Sequence, residues 1–392
     1  MYRFLNKMSG NSQHLPALLL LLAVAIPGPT VAISGVQSVG VQACVKHHVG
    51  NEQETQRTLT TNDDGAIIDA VSANINDRTL HELYLWPFAN AVQSDVSSIM
   101  CSYNRVNGKY TCANPETLGM LRDELAFPGY IVSDWYSTHS TIASANAGLD
   151  VEMPGNFSAV AGEAYFGDML LEAVSNQSAS VERLDEMVER VTRPYYLLGQ
   201  DGGFPTLDPA NAAAFVVYQY GHSSELLSYY PLLNARDVRG EHAKLTRELG
   251  SAATVLLKNE NDTLPLKAPI NVGIFGNGAP YPTIGSAFLD YGDHPEGFEM
   301  GTVDIGGGSG TVRHTNLVAP LEAIRRQTES YGGRVQVLLD NTEIIKGTFR
   351  TIYPVPDVCL VFLKAYATEG QDRQNLDLEW EATTCHLQPP TP

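Results

Sequence analysis

Basic residues are scarce in this chain: 25 Lys and Arg stand against 44 Asp and Glu, a formal net charge of -19. So acidic a surface argues against a nucleic-acid partner, because phosphate binding needs clustered Lys and Arg. Cysteine is scarce as well. The five present, Cys44, Cys101, Cys112, Cys359 and Cys385, show no CxxC spacing, and no His cluster joins them. A zinc site is therefore not expected, and no metal is assigned. The apolar run at residues 15–26 is too short for a comfortable membrane span, so no membrane partner is expected. The glycine run Gly306-Gly307-Gly308-Ser309-Gly310-Thr311 lacks the Lys that completes a P-loop, and it does not follow a strand in the dinucleotide pattern. A nucleotide-binding protein is accordingly the weakest reading, and no cofactor is expected. No internal repeat is visible.

What is present describes an ordinary globular protein long enough for two or three domains, with 43% hydrophobic and 18% charged residues. Arg3 and Lys7, the apolar run and the small-residue stretch Thr30-Val31-Ala32 together resemble a secretory leader over residues 1–32. Sequons at Asn156, Asn176 and Asn261 agree with a secreted, extracellular glycoprotein. In that oxidising setting Cys101 and Cys112 are placed to clip the polar, turn-rich stretch between them. A competing reading makes residues 30–41 a short helix feeding a strand, with Ala32, Ile33, Val36 and Val39 facing inward.

Strand-like and helical segments then alternate. Strands are expected at 41–48, 96–103, 130–134 and 149–155, and helices at 77–90, 118–125, 138–148 and within 164–198, with Pro87 marking a kink or a late turn. Alternation implies parallel strands and an α/β barrel or doubly wound sheet. Residues 200–240, rich in Gly, Pro, Asn, Asp and Tyr, break the pattern as a linker between a domain at 33–199 and a second at 241–392. The second domain repeats the alternation. A helix at 242–250, a strand or helix end at 253–258 and a strand at 271–275 come first. A helix at 317–326 and strands at 335–339 and 358–364 follow.

Chemistry is expected where strands end in polar residues. Tyr130-Ile131-Val132-Ser133-Asp134-Trp135 runs a buried strand into a carboxylate. An acid there either caps the next helix through its side chain or sits at the C-terminal rim, where the active sites of strand–helix barrels collect. Lys46-His47-His48 closes another strand, offering hydrogen-bond donors to a polar ligand or a salt-bridged rim. In the second domain Ala365-Tyr366-Ala367-Thr368-Glu369-Gly370 again sets a carboxylate on a loop past a strand end.

Several segments, in order, resemble the fungal β-glucosidases of glycoside hydrolase family 3. They are the Lys-His loop at 44–54, the segments at 80–88 and 101–104, the strands at 130–135 and 149–155, and the second-domain stretches at 241–266 and 306–311. The resemblance implies a partial (β/α)8 TIM-type barrel followed by a partial α/β sandwich domain. It implies a retaining hydrolase that releases terminal β-D-glucosyl residues from β-glucosides or cello-oligosaccharides. Asp134 matches the nucleophile, and Glu369 fits the loop that supplies the acid/base, two carboxyls that a retaining enzyme holds about 5–5.5 Å apart. Lys46, His47 and Tyr103 match positions that grip the glucosyl ring or orient the nucleophile, and Trp135 an aromatic platform. Glu152, Asp372 and Glu379 are the alternatives for the acid/base and rank as structural. The family carries a long barrel-forming stretch before the Lys-His loop and a fibronectin-like domain after the second. Their lack leads to the expectation of a chain truncated at both ends that does not fold and work alone; the alternative to the hydrolase reading is an inactive fragment that at most binds carbohydrate.

Overall fold

The computed structural model describes residues 27–155, 164–203, 239–282, 301–304, 316–370, 372–373 and 375–377. The apolar run 15–26, the sequon at Asn156, positions 204–238 of the linker, the glycine run 306–311, Glu379 and Cys385 lie outside the described residues. The chain divides into two compact units, Met1–Phe204 and Pro205–Pro392.

The first unit contains β1 (Cys44–His48), β2 (Thr60–Thr61), β3 (Ile67–Ile68), β4 (Ser72–Ala73), β5 (Ser98–Cys101), β6 (Arg105–Val106), β7 (Lys109–Tyr110) and β8 (Tyr130–Ser133). Its main sheet has the order β1-β5-β8 and is parallel throughout, with Cys44 opposite Ser98 and Ser98 opposite Tyr130. Alternate residues face opposite ways along each strand. Ile99, Cys101 and Ile131 are fully buried in one apolar cluster with Phe88, Leu118, Leu121 and Leu149 from the connecting segments. The other face carries Cys44 and Lys46, both exposed, and the half-buried Met100 and Tyr130. Two small sheets, β2-β3 and β4-β6-β7, fold from the loops that leave β1 and β5.

Several sequence expectations change in detail. The first helix among the described residues spans Pro27–Gln37 and so runs through the expected leader boundary at Ala32. Of its four expected inward residues only Ile33 is buried; Val36 and Val39 are exposed. A polar clip holds this helix instead. Gln37 Oε1 accepts from Ser97 N at 2.9 Å and from Ser97 Oγ at 2.7 Å, and its Nε2 donates to the Asp95 carbonyl at 2.9 Å. The helix expected at 77–90 is divided into Asp77–Thr79, a π-wound turn Leu80–Tyr84 and Trp86–Gln93. Pro87 lies in the first turn of the last piece, where its missing N–H has no helical partner to lose. The strand expected at 149–155 reduces to one parallel bridge, Val132 to Val151.

Three arginines fasten β8 from behind. The Asp150 carboxylate, wholly buried, takes Arg122, Arg183 at 2.8 Å and Arg190 at 3.3 Å, and accepts the Ile131 amide at 2.8 Å. Arg122 also donates to the carbonyls of Phe127 and Gly129, which lead into the strand. Burial lowers the Arg122 pKa to about 10, with Asp150 opposing, so the guanidinium stays charged at neutral pH.

The second unit contains β9 (Asn271–Phe275), β10 (Arg334–Leu338) and β11 (Val358–Val361), parallel in the order β10-β9-β11. The central strand β9 is buried at all five residues, as expected of a strand covered on both faces. Asp357 anchors its start by accepting the amides of Ile270 at 3.0 Å and Asn271 at 2.9 Å. The helix Pro320–Ser330 packs Leu321 into the cluster around Val272 and Ile274. Residues 253–258 form no strand: the helix His242–Ala253 ends there, and Val255, Leu256 and Leu257 are exposed. Apolar residues propose a strand only where a neighbour covers them, and none of the described residues does so here.

Candidate active site

The carboxylate at the end of β8 is built into its surroundings by its own backbone. The Asp134 amide extends the parallel ladder by donating to the Cys101 carbonyl at 3.2 Å. The Asp134 carbonyl accepts from Ser137 N and from Ser137 Oγ, each at 3.1 Å. This turn ends at Ser137, and the helix expected at 138–148 starts only at Ile142, after Thr141. Asp134 is therefore not its cap.

The side chain is held at both oxygens. Trp135 N donates to Oδ1 at 2.7 Å, and His47 Nε2 lies 3.0 Å from Oδ2. The Tyr103 hydroxyl also bonds the carboxylate. Tyr103 is buried, and its ring lies 4.3 Å beneath the Arg57 guanidinium, which pairs with Glu54 at 2.9 Å. Burial works to raise the Asp134 pKa, but the bonds from His47, the Trp135 amide and Tyr103 outweigh it and hold the group below its ordinary value. A buried carboxylate that remains ionised, fixed at both oxygens and set at a C-terminal strand end, is equipped to act as a nucleophile or to stabilise a developing cation.

The expected ligands divide into two groups. His47 and Tyr103 touch the carboxylate, and Trp135 contributes its amide while its side chain is 41% exposed and free to meet a ligand. Lys46 is exposed on β1. His48, two residues on and past the register shift between Val45 and His48, points into the core: Nε2 sits 2.9 Å from the Thr117 carbonyl, the ring packs edge-on against Phe88, and burial lowers its pKa to about 4. Glu152 is buried and accepts the Phe166 amide at 2.7 Å. Cys101 and Cys112 form a disulfide, while Cys44 and Cys359 are free thiols. Among the described residues no group of three His, Cys, Asp or Glu could hold a metal ion. Nor is any of their helices long and apolar enough to cross a membrane.

In the second unit Glu369 is half-buried in a turn that follows β11 and closes at Gly370, where φ is +85°. Tyr366 and Thr368 beside it are buried, and Lys364 donates to the Gly301 carbonyl at 2.5 Å. Asp372 is half-buried further along. Asn176 and Asn261, the sequon asparagines within the described residues, are both exposed.

Sequence reasoning passed over Ser137, Arg57 and the Asp150 hub. Ser137 lies inside a polar run whose turn depends on a backbone contact between distant strands. Arg57 ends a polar loop whose partner aromatic is far along the chain.

Known proteins supply an independent line. Residues 24–194 match the glycosyl hydrolase family 3 N terminal domain and residues 254–386 its C-terminal domain. A probable beta-glucosidase G of Neosartorya fischeri is 45% identical over 364 residues, covering 90% of this chain and 44% of that protein. One of Aspergillus flavus is 45% identical over 361 residues, covering 89% and 43%. Among solved structures, a beta-glucosidase from Chaetomella raphigera superimposes with a TM-score of 0.73 at 35% identity, covering 91% of this chain and 46% of that one. A family 3 beta-glucosidase from Neurospora crassa reaches 0.76 at 34% identity, covering 90% and 43%. The chain spans less than half the length of the curated relatives it matches.

Proposed function

This chain belongs to glycosyl hydrolase family 3, and on that premise we propose that it carries the chemistry of a retaining β-glucosidase acting on terminal β-D-glucosyl residues. The observation that carries the reading is Asp134, buried yet held ionised by His47, Tyr103 and the Trp135 amide. In the proposed reaction an Asp134 oxygen attacks the anomeric carbon while the bond to the aglycone oxygen breaks. Glu369 gives its proton to that oxygen. Water then attacks the same carbon, gives its proton to Glu369, and frees Asp134 with net retention. Lys46 and His47 would hold glucosyl hydroxyls, and the exposed face of Trp135 would stack on the sugar.

The same reading takes the β1-β5-β8 sheet as part of a TIM-type barrel and the β10-β9-β11 sheet as part of the sandwich domain, with the linker at 200–240. It also makes the protein a secreted glycoprotein, carrying glycans at Asn156, Asn176 and Asn261. Cello-oligosaccharides and aryl β-glucosides are the substrates of choice.

The test is covalent. The activated, slow substrate 2,4-dinitrophenyl 2-deoxy-2-fluoro-β-D-glucoside traps a glycosyl-enzyme, and mass spectrometry of the peptides locates the adduct. An adduct on Asp134 that is absent in Asp134→Asn supports the reading. An unlabelled protein that still binds glucose would instead select a carbohydrate-binding role.

A further inference from the structure

The contacts around Asp134 close into a ring that the chemistry of the carboxylate does not by itself require. The Asp134 amide bonds the Cys101 carbonyl. Cys101 is joined to Cys112 by the disulfide. The Cys112 sulfur lies 3.1 Å from Ser137 Oγ. Ser137, through both N and Oγ, returns to the Asp134 carbonyl. Cys101, Cys112 and Ser137 are each 1% exposed or less, so the ring is sealed from water. It is also braced from the far side. The adjacent Ser102 hydroxyl bonds the Val49 carbonyl at 3.0 Å and accepts the Val49 amide, tying the disulfide loop to the segment that leaves His47.

We propose that Ser137 and the Cys101–Cys112 disulfide act together as a positioning clamp for the nucleophile, so that the redox state of this disulfide sets the competence of Asp134. The inference rests on the reading of Asp134 as the nucleophile. The physical basis is short. A side chain is aimed by its own backbone, and the Asp134 backbone is held at its amide by one half of the disulfide and at its carbonyl by the serine that abuts the other half. With the disulfide intact, the cystine loop cannot withdraw from Ser137. With it reduced, two thiols replace one bond, Cys112 is free to separate from Cys101, and the turn at Ser137 loses its backing. Oδ1 and Oδ2 then drift from the Trp135 amide and from His47, the donors that keep the carboxylate ionised.

The experiment measures the rate at which 2,4-dinitrophenyl 2-deoxy-2-fluoro-β-D-glucoside labels Asp134 in the full-length chain, as a function of pH. In this step an Asp134 oxygen bonds the anomeric carbon and dinitrophenolate leaves with the electron pair, so no general acid is needed. Three proteins are compared: the native chain, Ser137→Ala, which keeps the disulfide, and the double variant Cys101→Ser with Cys112→Ser. Ser137→Ala is expected to slow labelling about tenfold, less than the roughly 10²-fold that a 1 Å misplacement costs. It should also move the acid limb of the profile to higher pH, and Ser137→Thr should restore both. The double variant is expected to show the larger change in the same direction. Rates and acid limbs equal to the native chain in Ser137→Ala would overturn the clamp. So would a slower rate with an unmoved limb and a matching loss of thermal stability, the mark of a purely structural role. A native chain that is folded but takes no label would overturn the nucleophile reading itself, and the clamp with it.

Discussion

The ends of β8 and β11 present the same problem with opposite solutions. Both are parallel strands that run into a carboxylate-bearing segment. Asp134 follows β8 directly, its amide still in the ladder with Cys101, and side chains from two other parts of the unit converge on it. Glu369 stands well beyond the end of β11 at Val361, in a turn after irregular backbone, half-buried. The position of Asp134 is thus a consequence of strand register, whereas that of Glu369 depends on how a loop is held. This suits the roles proposed. An attacking carboxylate must be fixed and ionised. A proton donor must be protonated at the start and must exchange its proton with water later.

The sharpest way to break the comparison is at Asp134. On the proposed reading, Asp134→Asn removes the attacking oxygen and should lower hydrolysis of an aryl β-glucoside by on the order of 10⁴-fold while leaving the fold intact. Retained turnover would place the nucleophile elsewhere. Close behind comes the anchor beneath β8. Asp150→Ala strands Arg122, Arg183 and Arg190 around a vacated buried position. Breaking a buried charge cluster from one side costs about 3–5 kcal/mol. Urea denaturation should show that loss, and a change under about 1 kcal/mol would mean the hub is dispensable. At β11 the expected effect depends on the substrate. Glu369→Ala should cost about 10²–10³-fold with a poor leaving group and far less with dinitrophenolate, which needs no proton. Equal losses on both substrates would deny Glu369 the role of acid.

The same contrast explains what was legible in the sequence. Tyr130-Ile131-Val132 reads as a buried strand because β-branched and aromatic residues in an unbroken run say so locally, and Asp134 follows at once. β9 was legible from Val272, Ile274 and Phe275 although Asn271 and Gly273 interrupt the run, and residues 271–275 matched its bounds. The β-glucosidase reading of Asp134, Glu369, Lys46, His47, Tyr103 and Trp135 came from resemblance, not from spacing. What sequence alone missed is long-range: the Gln37 clip to Ser97, the three arginines on Asp150, and Ser137 against the disulfide. Each joins segments with no local periodicity in common. The run at 253–258 left two readings open, a strand or a helix end, and the helix end is the one the structure takes, because composition cannot tell whether a strand-forming run finds a neighbour.

The smallest of the expected effects isolates the histidine that sits between these two kinds of evidence. His48 adjoins His47 in sequence but faces the core, and burial pushes its pKa from 6.5 to about 4. Between those values the unfolded chain binds a proton that the folded chain refuses, so stability rises with pH across that window. The contribution is fully present above pH 6.5 and is lost progressively as the pH falls to about 4, on the order of 3 kcal/mol in all. His139 shifts in the same direction through burial, while the half-buried His81, raised by the Asp77 carbonyl and Glu124, acts weakly in the opposite one. Asp134, lowered from an already acidic value, releases its contribution only below this window. A single variant therefore separates the terms. His48→Gln should flatten the difference between urea midpoints measured at pH 7 and pH 5, with the residual slope set by His139 against the opposing His81. An undiminished slope in His48→Gln would show that His48 takes up its proton without leaving the core, and that the pocket between Thr117 and Phe88 is open to water.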